Sequence, residues 1–378
     1  MSLITAGTVV LDARVCRPGW VHISGSRVLD CGPGPSPRPA DIDLPDAVVV
    51  PGFVEMHVHG GGGASYTDGS SADILRAAAF HRRHGTTTTL ASLVTGSPGD
   101  LLTAVDALAE STRAGAVAGI HLEGPWLSPA RCGAQDRNQL RDPDPAEMDA
   151  LLAAGGGAIR MVTLAPECPG SDEAIGRLVD AGVIVAVGHT DASYEQTRHA
   201  IELGATVGTH VFNAMRPLHH REPGPALALL EDSRVTAELI ADGVHVHPAV
   251  ARAVIDAAGA DRVALVTDAI AAAGLGDGEF RLGAMQIDVV EQVARVRGTS
   301  TIAGSTATMD QLFRAAAAFG TDPDAALAAA VQMTSTTPAR ALGLDHVGSL
   351  RAGRDADLVV LDQDLHVTAV MADGEWLV

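Results

Sequence analysis

His57 and His59, Glu123, His189, His210 and Asp268 are residue types that hold divalent cations and move protons, and they follow one another in that order along 378 residues. The chain contains no lysine, so the bridging position that many metallohydrolases give to a carbamylated lysine must fall here to Glu123. The same absence excludes lysine Schiff-base chemistry and every phosphate loop that depends on a lysine. His57-Val58-His59 stands at the end of an apolar run, and because strand side chains repeat with period two, both imidazoles share one face. A lone H-x-H is more often a pair of rim histidines than a metal clamp. Here it has company. Glu123 in HLEGP, where glycine and proline stop the run, can bridge two cations or serve as one ligand beside imidazoles. His189 in VGHT and His210 in GTHVFNAM extend the set. Asp268 in LVTDA can take a proton from a metal-activated water and return it to a leaving amine, or cap the helix that follows, and the two roles are compatible. The chemistry expected of this set is hydrolysis.

Such distant residues need a frame that brings them to one rim. Eight apolar runs, PGFVEMHVH, TTTTLA, VAGIHLEG, IRMVTLAPE, VIVAVGHT, ATVGTHVFN, VTAELIADGVH and RVALVTDA, are separated in several places by helical patterns such as SADILRAAAFHRRH, DLLTAVDALAEST, SDEAIGRLVDAG and PAVARAVIDAAG. Eight such units predict an α/β fold, a (β/α)8 TIM barrel whose strand ends converge on a catalytic rim. His57, His59, Glu123, His189, His210, His245 and Asp268 each fall at or just past the end of a run. The chain ends read differently. ITAGTVVLD, WVHISGSRVLD, DLPDAVVV, ADLVVLD, HVTAVMAD and GEWLV are short strands between turns, and GPGPSPRPAD is a loop. The organisation predicted is a small β-sandwich domain from residues 1–51 and 346–378 around a barrel of residues 52–345.

A net charge of −20 argues against nucleic acid or an anionic membrane surface as partner, since both select clustered cations. With 47% hydrophobic residues and 3% aromatics, the core is sizeable and aliphatic. Cys16, Cys31, Cys132 and Cys168 form no C-x-x-C pair, so neither a zinc ribbon nor a disulfide scaffold is expected, and reduced thiols point to the cytoplasm. The opening MSLITAGTVV lacks the pattern of a secretory leader, and no stretch reaches the roughly 18 apolar residues of a membrane span. The glycine-rich HGGGGAS after His59 lacks the spacing of a nucleotide loop and reads as a flexible rim loop.

The ordered set H-x-H, HLEGP, GHT, THxFNAM, REPG, DGVH, TDA and AGS, spread over residues 52–306, resembles the N-acetylglucosamine-6-phosphate deacetylase family of the amidohydrolase superfamily. The resemblance implies a hydrolase that cleaves the acetamide of an amino-sugar phosphate. Glu123, His189 and His210 match the family's common metal ligands, and His57 with His59 match a second site that some members lack. One or two divalent ions are therefore implied, zinc first and ferrous iron as the alternative. Asp268 matches the general acid/base. Ala134, Gln135, Asn213, Ala214, Arg221, Asp242, His245, Ile302, Ala303 and Gly304 match positions that contact substrate. Some relatives carry histidine at the place of Gln135, an amide that donates but does not titrate. Arg221 matches an arginine that reaches the neighbouring subunit's site, which implies a homodimer, and a guanidinium suits phosphate. A galacto-configured sugar phosphate, another N-acyl substrate and an inactive scaffold paralogue are the alternatives. His219 and His220 have no assigned role, and Cys132 reads as a bystander on a mouth loop.

Overall fold

The computed structural model describes residues 1–67 and 70–377. The eight apolar runs form strands β1 (Phe53–Glu55), β2 (Thr86–Leu93), β3 (Gly119–Glu123), β4 (Ile159–Leu164), β5 (Ile184–Val187), β6 (Ala205–Gly208), β7 (Thr236–Leu239) and β8 (Val263–Leu265), joined in chain order in one sheet. From β2 to β8 every pairing is parallel. Past β8, the Asp268 N–H donates to the His57 carbonyl at 2.9 Å and the His59 N–H to the Ala269 carbonyl at 2.8 Å, so the last strand's end is laced to the first's. This is the (β/α)8 barrel the sequence predicts. Its strands are buried almost without interruption, as both faces of a parallel sheet are covered, and that is why they read as continuous Val, Ile and Leu runs rather than alternations.

Local signals fix where the crossover helices start and stop. Ser97 accepts the Asp100 N–H ahead of the helix Pro98–Arg113, and Asp144 accepts the Glu147 N–H ahead of Pro145–Gly155, which ends on left-handed Gly156. Tyr194–Leu203 opens on a reciprocal box of Ser193 and Gln196. Each cap satisfies N–H groups that the helix itself leaves orphaned, so the length of the loop from strand end to helix is set locally.

Contacts divide the chain into two compact units, one of Met1–Glu55, Ala79–Thr88 and Thr308–Val378, the other of Met56–Ala78 and Thr89–Ala307. In the first unit, both chain ends enter one mixed sheet in the order Glu375–Trp376, Val367–Ala372, Leu358–Leu361, Ile42–Pro51, Ser2–Leu11, Gly19–Ser24, Arg27–Pro33, with Arg14–Cys16 paired to Ser2–Leu11. Val359 stands opposite Val50 across an antiparallel seam. A single apolar cluster, with Ile4, Val21, Val28, Val49, Leu358 and Met371 among its members, draws on both ends.

In the second unit, an antiparallel sheet of Gly278–Leu282, Met285–Val290 and Val293–Val296 follows β8 and was not anticipated. Its inward residues Ile287, Val289 and Ala294 pack with Ile270 and Ala303. The glycine-rich run also differs from expectation. Gly60–Gly61 pairs with Ala64–Ser65 as a tight hairpin, and a Cβ on Gly60 would lie 2.2 Å from the Ala64 carbonyl oxygen. The glycine there permits close backbone approach.

Candidate metal centre

Every side chain singled out as a ligand lies in the second unit and at a strand end. Glu123 is the last residue of β3, and its carboxylate is where the others meet. Oε1 stands 3.0 Å from His189 Nε2, 3.0 Å from His210 Nε2 and 3.5 Å from His57 Nε2. Oε2 lies 3.3 Å from His59 Nε2 and accepts the Gln135 amide N–H at 2.6 Å. Asp268 Oδ1 is 3.2 Å from His59 Nε2 and 3.6 Å from His57 Nε2. All six are buried. Three overlapping triads result, namely Glu123 with His189 and His210, Glu123 with His57 and His59, and His57 with His210 and Asp268.

The far nitrogens explain why the near ones converge. His57 Nδ1 pairs with Glu238 Oε2 at 2.9 Å, His59 Nδ1 faces the Ser92 carbonyl at 3.2 Å and His189 Nδ1 the Arg131 carbonyl at 3.0 Å. Each of these acceptors wants a proton on Nδ1, so each Nε2 would have its lone pair free for a cation at the centre. His210 Nδ1 has no hydrogen-bond partner among the described residues. The backbone contributes as well. His189, His210, Ala214 and Asp268 sit at φ of 46°, 26°, 50° and 49°, a left-handed region that non-glycine residues enter at a cost, and such strain collects at functional sites.

A layer beneath the ligands was missed by sequence reasoning. His121, two residues before Glu123 on the same strand face, pairs with Ser92 Oγ at 2.9 Å and Thr163 Oγ1 at 2.8 Å, and Thr163 meets Thr209 Oγ1 at 2.9 Å. Burial, joined by the neighbouring His57, pushes the His121 imidazole well below its usual range, so it is neutral. Glu238 lies inside β7 with no exposure. A carboxylate in the middle of an apolar run was the available signal. For the ligands, burial works against charge but loses to opposite charges. His57 is held well above the ordinary imidazole value chiefly by Glu238 and Glu123, and His59 is raised to about 9 by Asp268 and Glu123. Against the same burial, His189 and His57 hold Glu123 well below, and His57 and His59 hold Asp268 below, the usual carboxylate range.

A cavity of about 260 Å³ opens over this cluster, lined by Ala134, Gln135, Asn213, Ala214, His245, Ile302 and Gly304 together with His59, Glu123, His189, His210 and Asp268. Leu282 of the added sheet, with Ser300 and Thr301, completes the wall. His245 is oriented by Asp242, whose Oδ2 takes its Nδ1 at 2.7 Å and whose Oδ1 takes its backbone N–H at 2.8 Å. Asp242 thus stands behind the wall rather than in it. Ala303 is not among the lining residues and is buried in the apolar cluster with Ile270 and Leu282. Arg221 is not among the lining residues. It occupies an exposed turn with its guanidinium 2.7 Å from His220 Nε2. Cys132 is a free, half-buried thiol.

The donor set fits divalent cations. Ligand atoms around a tetrahedral ion with bonds of about 2.1 Å stand roughly 3.4 Å apart, and the separations here run from 3.0 to 3.6 Å. The amidohydrolase family model matches residues 48–377. The chain belongs to the amidohydrolase family. Amidohydrolases are metal-dependent, and the three triads here could hold such ions. The chain is 35% identical to the N-acetylglucosamine-6-phosphate deacetylase of Bacillus subtilis (strain 168), covering 98% of this chain and 96% of that protein. It is 37% identical to the N-acetylgalactosamine-6-phosphate deacetylase of Escherichia coli O157:H7, covering 97% and 99%. Among solved structures, an aspartate-to-alanine variant of the N-acetyl-D-glucosamine-6-phosphate deacetylase of Mycobacterium smegmatis, in complex with N-acetyl-D-glucosamine-6-phosphate, is 57% identical with a TM-score of 0.98, covering 100% of this chain and 99% of that one. The resemblance read from the ordered motifs is thereby shown over the whole length.

Proposed function

We propose that this amidohydrolase cleaves the acetamide of N-acetylglucosamine 6-phosphate to glucosamine 6-phosphate and acetate. The observation that carries the reading is the juxtaposition, in one cavity, of the Glu123-centred ligand cluster with Asp268 at 3.2 Å from His59 Nε2. Glu123, His189 and His210 would hold one divalent ion, zinc by preference, and His57 with His59 and Glu123 a second. Bound there, a cation supplies an acidified water and positive charge for the oxygen of the tetrahedral intermediate. Asp268, whose Oδ1 stands 3.2 Å from His59 Nε2 at the edge of the ligand cluster, would accept the proton of the attacking water. It then delivers that proton to the amide nitrogen as the carbon–nitrogen bond breaks, so that the products are acetate and a free amine. Asn213, whose Nδ2 donates to the His210 carbonyl at 3.2 Å, and His245, set by Asp242, face the cavity where sugar hydroxyls and phosphate would lie. A space of this size takes one sugar rather than a chain of them.

Arg221 supports a dimeric enzyme in our reading. A guanidinium suits phosphate, and this one forms no ion pair among the described residues and lies outside its own cavity. We take it to serve a neighbouring subunit. Four free cysteines accord with a cytoplasmic location, and among the described residues no helix is long and apolar enough to cross a membrane. We likewise keep the small domain at residues 1–51 and 346–378 as the organisation served by the terminal sheet. The second reading is a galacto-configured substrate, favoured by the 37% identity to the Escherichia coli relative beside 35% to that of Bacillus subtilis.

Acetate release from N-acetylglucosamine 6-phosphate, its galacto epimer and the unphosphorylated sugar, using protein of counted metal content, tests all of this. Turnover of the phosphorylated gluco sugar above the other two is the expected result. Turnover of none with metal bound sinks the substrate assignment. Arg221→Ala is expected to raise KM for the phosphorylated sugar alone.

A further inference from the structure

Glu238 is a buried ionisable group that the proposed reaction leaves without a role. It has no exposure, it sits within β7 among Thr236, Ala237 and Leu239, and one of its oxygens serves two partners. Oε2 takes His57 Nδ1 at 2.9 Å and the backbone N–H of His210 at 3.3 Å, while Oε1 has no hydrogen-bond partner among the described residues. Burying a carboxylate costs several kcal/mol even when it is paired, and an apolar residue at this point of a strand would be the more stable choice. Stability therefore does not explain it.

Its two partners share the triad with Asp268, but each also belongs to a triad that the other does not. His57 stands with His59 and Glu123, whereas His210 stands with His189 and Glu123. The His57 ring depends on Glu238 in a way the others do not. His59 and His189 are oriented by backbone carbonyls, of Ser92 and Arg131, which no substitution removes. For His57 the orienting acceptor is a side chain. With the Nδ1 proton held by Glu238, His57 Nε2 is left as a lone pair aimed between Glu123, His59 and Asp268.

We propose that Glu238 is the positioning residue that makes the His57/His59 pair a cation site, and that it does so without being needed for the cation held by His189 and His210. The inference rests on the metal reading above and is independent of the substrate. A carboxylate behind an imidazole fixes the tautomer and strengthens the ligand, and losing such a partner weakens metal binding about 10–100-fold. His210 is touched only through its backbone, so its imidazole keeps its place when Glu238 changes.

The test is zinc stoichiometry of the full chain, stripped with a chelator and titrated with Zn²⁺ alone, read by calorimetry and elemental analysis. The unaltered chain is expected to take two equivalents. Glu238→Gln, which keeps volume and an acceptor but loses the charge, is expected to keep the first and bind the second about 10–100-fold more weakly. His57→Asn is expected to lose the same equivalent, and adding Glu238→Gln to it is expected to cost nothing further. Glu238→Asp, a methylene short of His57, gives a milder loss of that equivalent and keeps the test open if the glutamine variant does not fold. Unchanged uptake of two equivalents by Glu238→Gln, loss of both together, or a single equivalent in the unaltered chain would each overturn the proposal. No activity is read, so two bound zincs with no acetate release would sink the substrate assignment alone.

Discussion

Glu123 divides its two oxygens between two sets of neighbours, and single substitutions around it therefore have separable effects. His189 and His210 share Oε1, while His59 and Gln135 share Oε2. Asp268→Asn removes the proton acceptor but keeps the shape of the pocket. Its kcat is expected to fall about 10²–10⁴-fold, with the sugar phosphate still bound, as acetate release and calorimetry on one preparation will show. Gln135 is fully engaged at both ends of its amide, with Nε2 on Glu123 and Oε1 accepting the Thr95 N–H at 2.8 Å. Gln135→Ala strands a buried N–H and frees the carboxylate to turn. The expected loss is about 1–3 kcal/mol of stability, read by urea unfolding, with kcat falling more than KM. At this scale the sequence was informative where a titratable residue closed an apolar run, as with Glu123 and Asp268. It was silent on Glu238 and His121, because a charged or imidazole residue inside a run looks like an interruption until the neighbouring strands are in place.

At the scale of elements, all eight barrel strands were legible, because a parallel sheet buried on both faces leaves unbroken apolar runs bounded by glycine and polar residues. The sheet of residues 278–296 was not. Its alternation of Ile287 and Val289 inward with Gln286 and Asp288 outward is present in the sequence, but a three-stranded meander after a completed barrel has no place in the repeating unit. The terminal sheet carries its own test. Asp357, which leads into the strand Leu358–Leu361, is pushed up to about 6 by burial and by the Asp373 and Asp355 carboxylates. Below about pH 4 the group is protonated in both the folded and the unfolded chain and has no effect. As pH rises, the unfolded chain releases its proton first, so stability declines up to and through the folded value, by about 2–3 kcal/mol in all. Asp357→Asn, which can still accept the Asp373 N–H, is expected to unfold at higher urea than the unaltered chain near pH 8 and to show no such gain near pH 4. Equal gains at both values would show that burial of charge is not the cause.

For the whole molecule, the metal centre links strands that lie far apart in sequence, from His57 after β1 to Asp268 after β8. An ion bound to the folded state alone adds stability with its concentration, about 4 kcal/mol at a thousandfold excess over its dissociation constant. Chelation is accordingly expected to lower the thermal midpoint and zinc to restore it, whereas calcium, which prefers oxygen ligands, is expected to do neither. A midpoint indifferent to chelator would mean that the cluster holds no ion in solution.

The terminal sheet has a consequence in time. Ile42–Pro51 is made well before its antiparallel neighbour Leu358–Leu361. At about 5–20 residues per second, roughly 15–60 s separate the two on the ribosome. For that interval one edge of Ile42–Pro51, ending in Val48, Val49 and Val50, stands open to any passing strand, in the nascent chain or in another. The vulnerable period of this protein is thus its own translation, and slowing the ribosome should raise the fraction that aggregates before release.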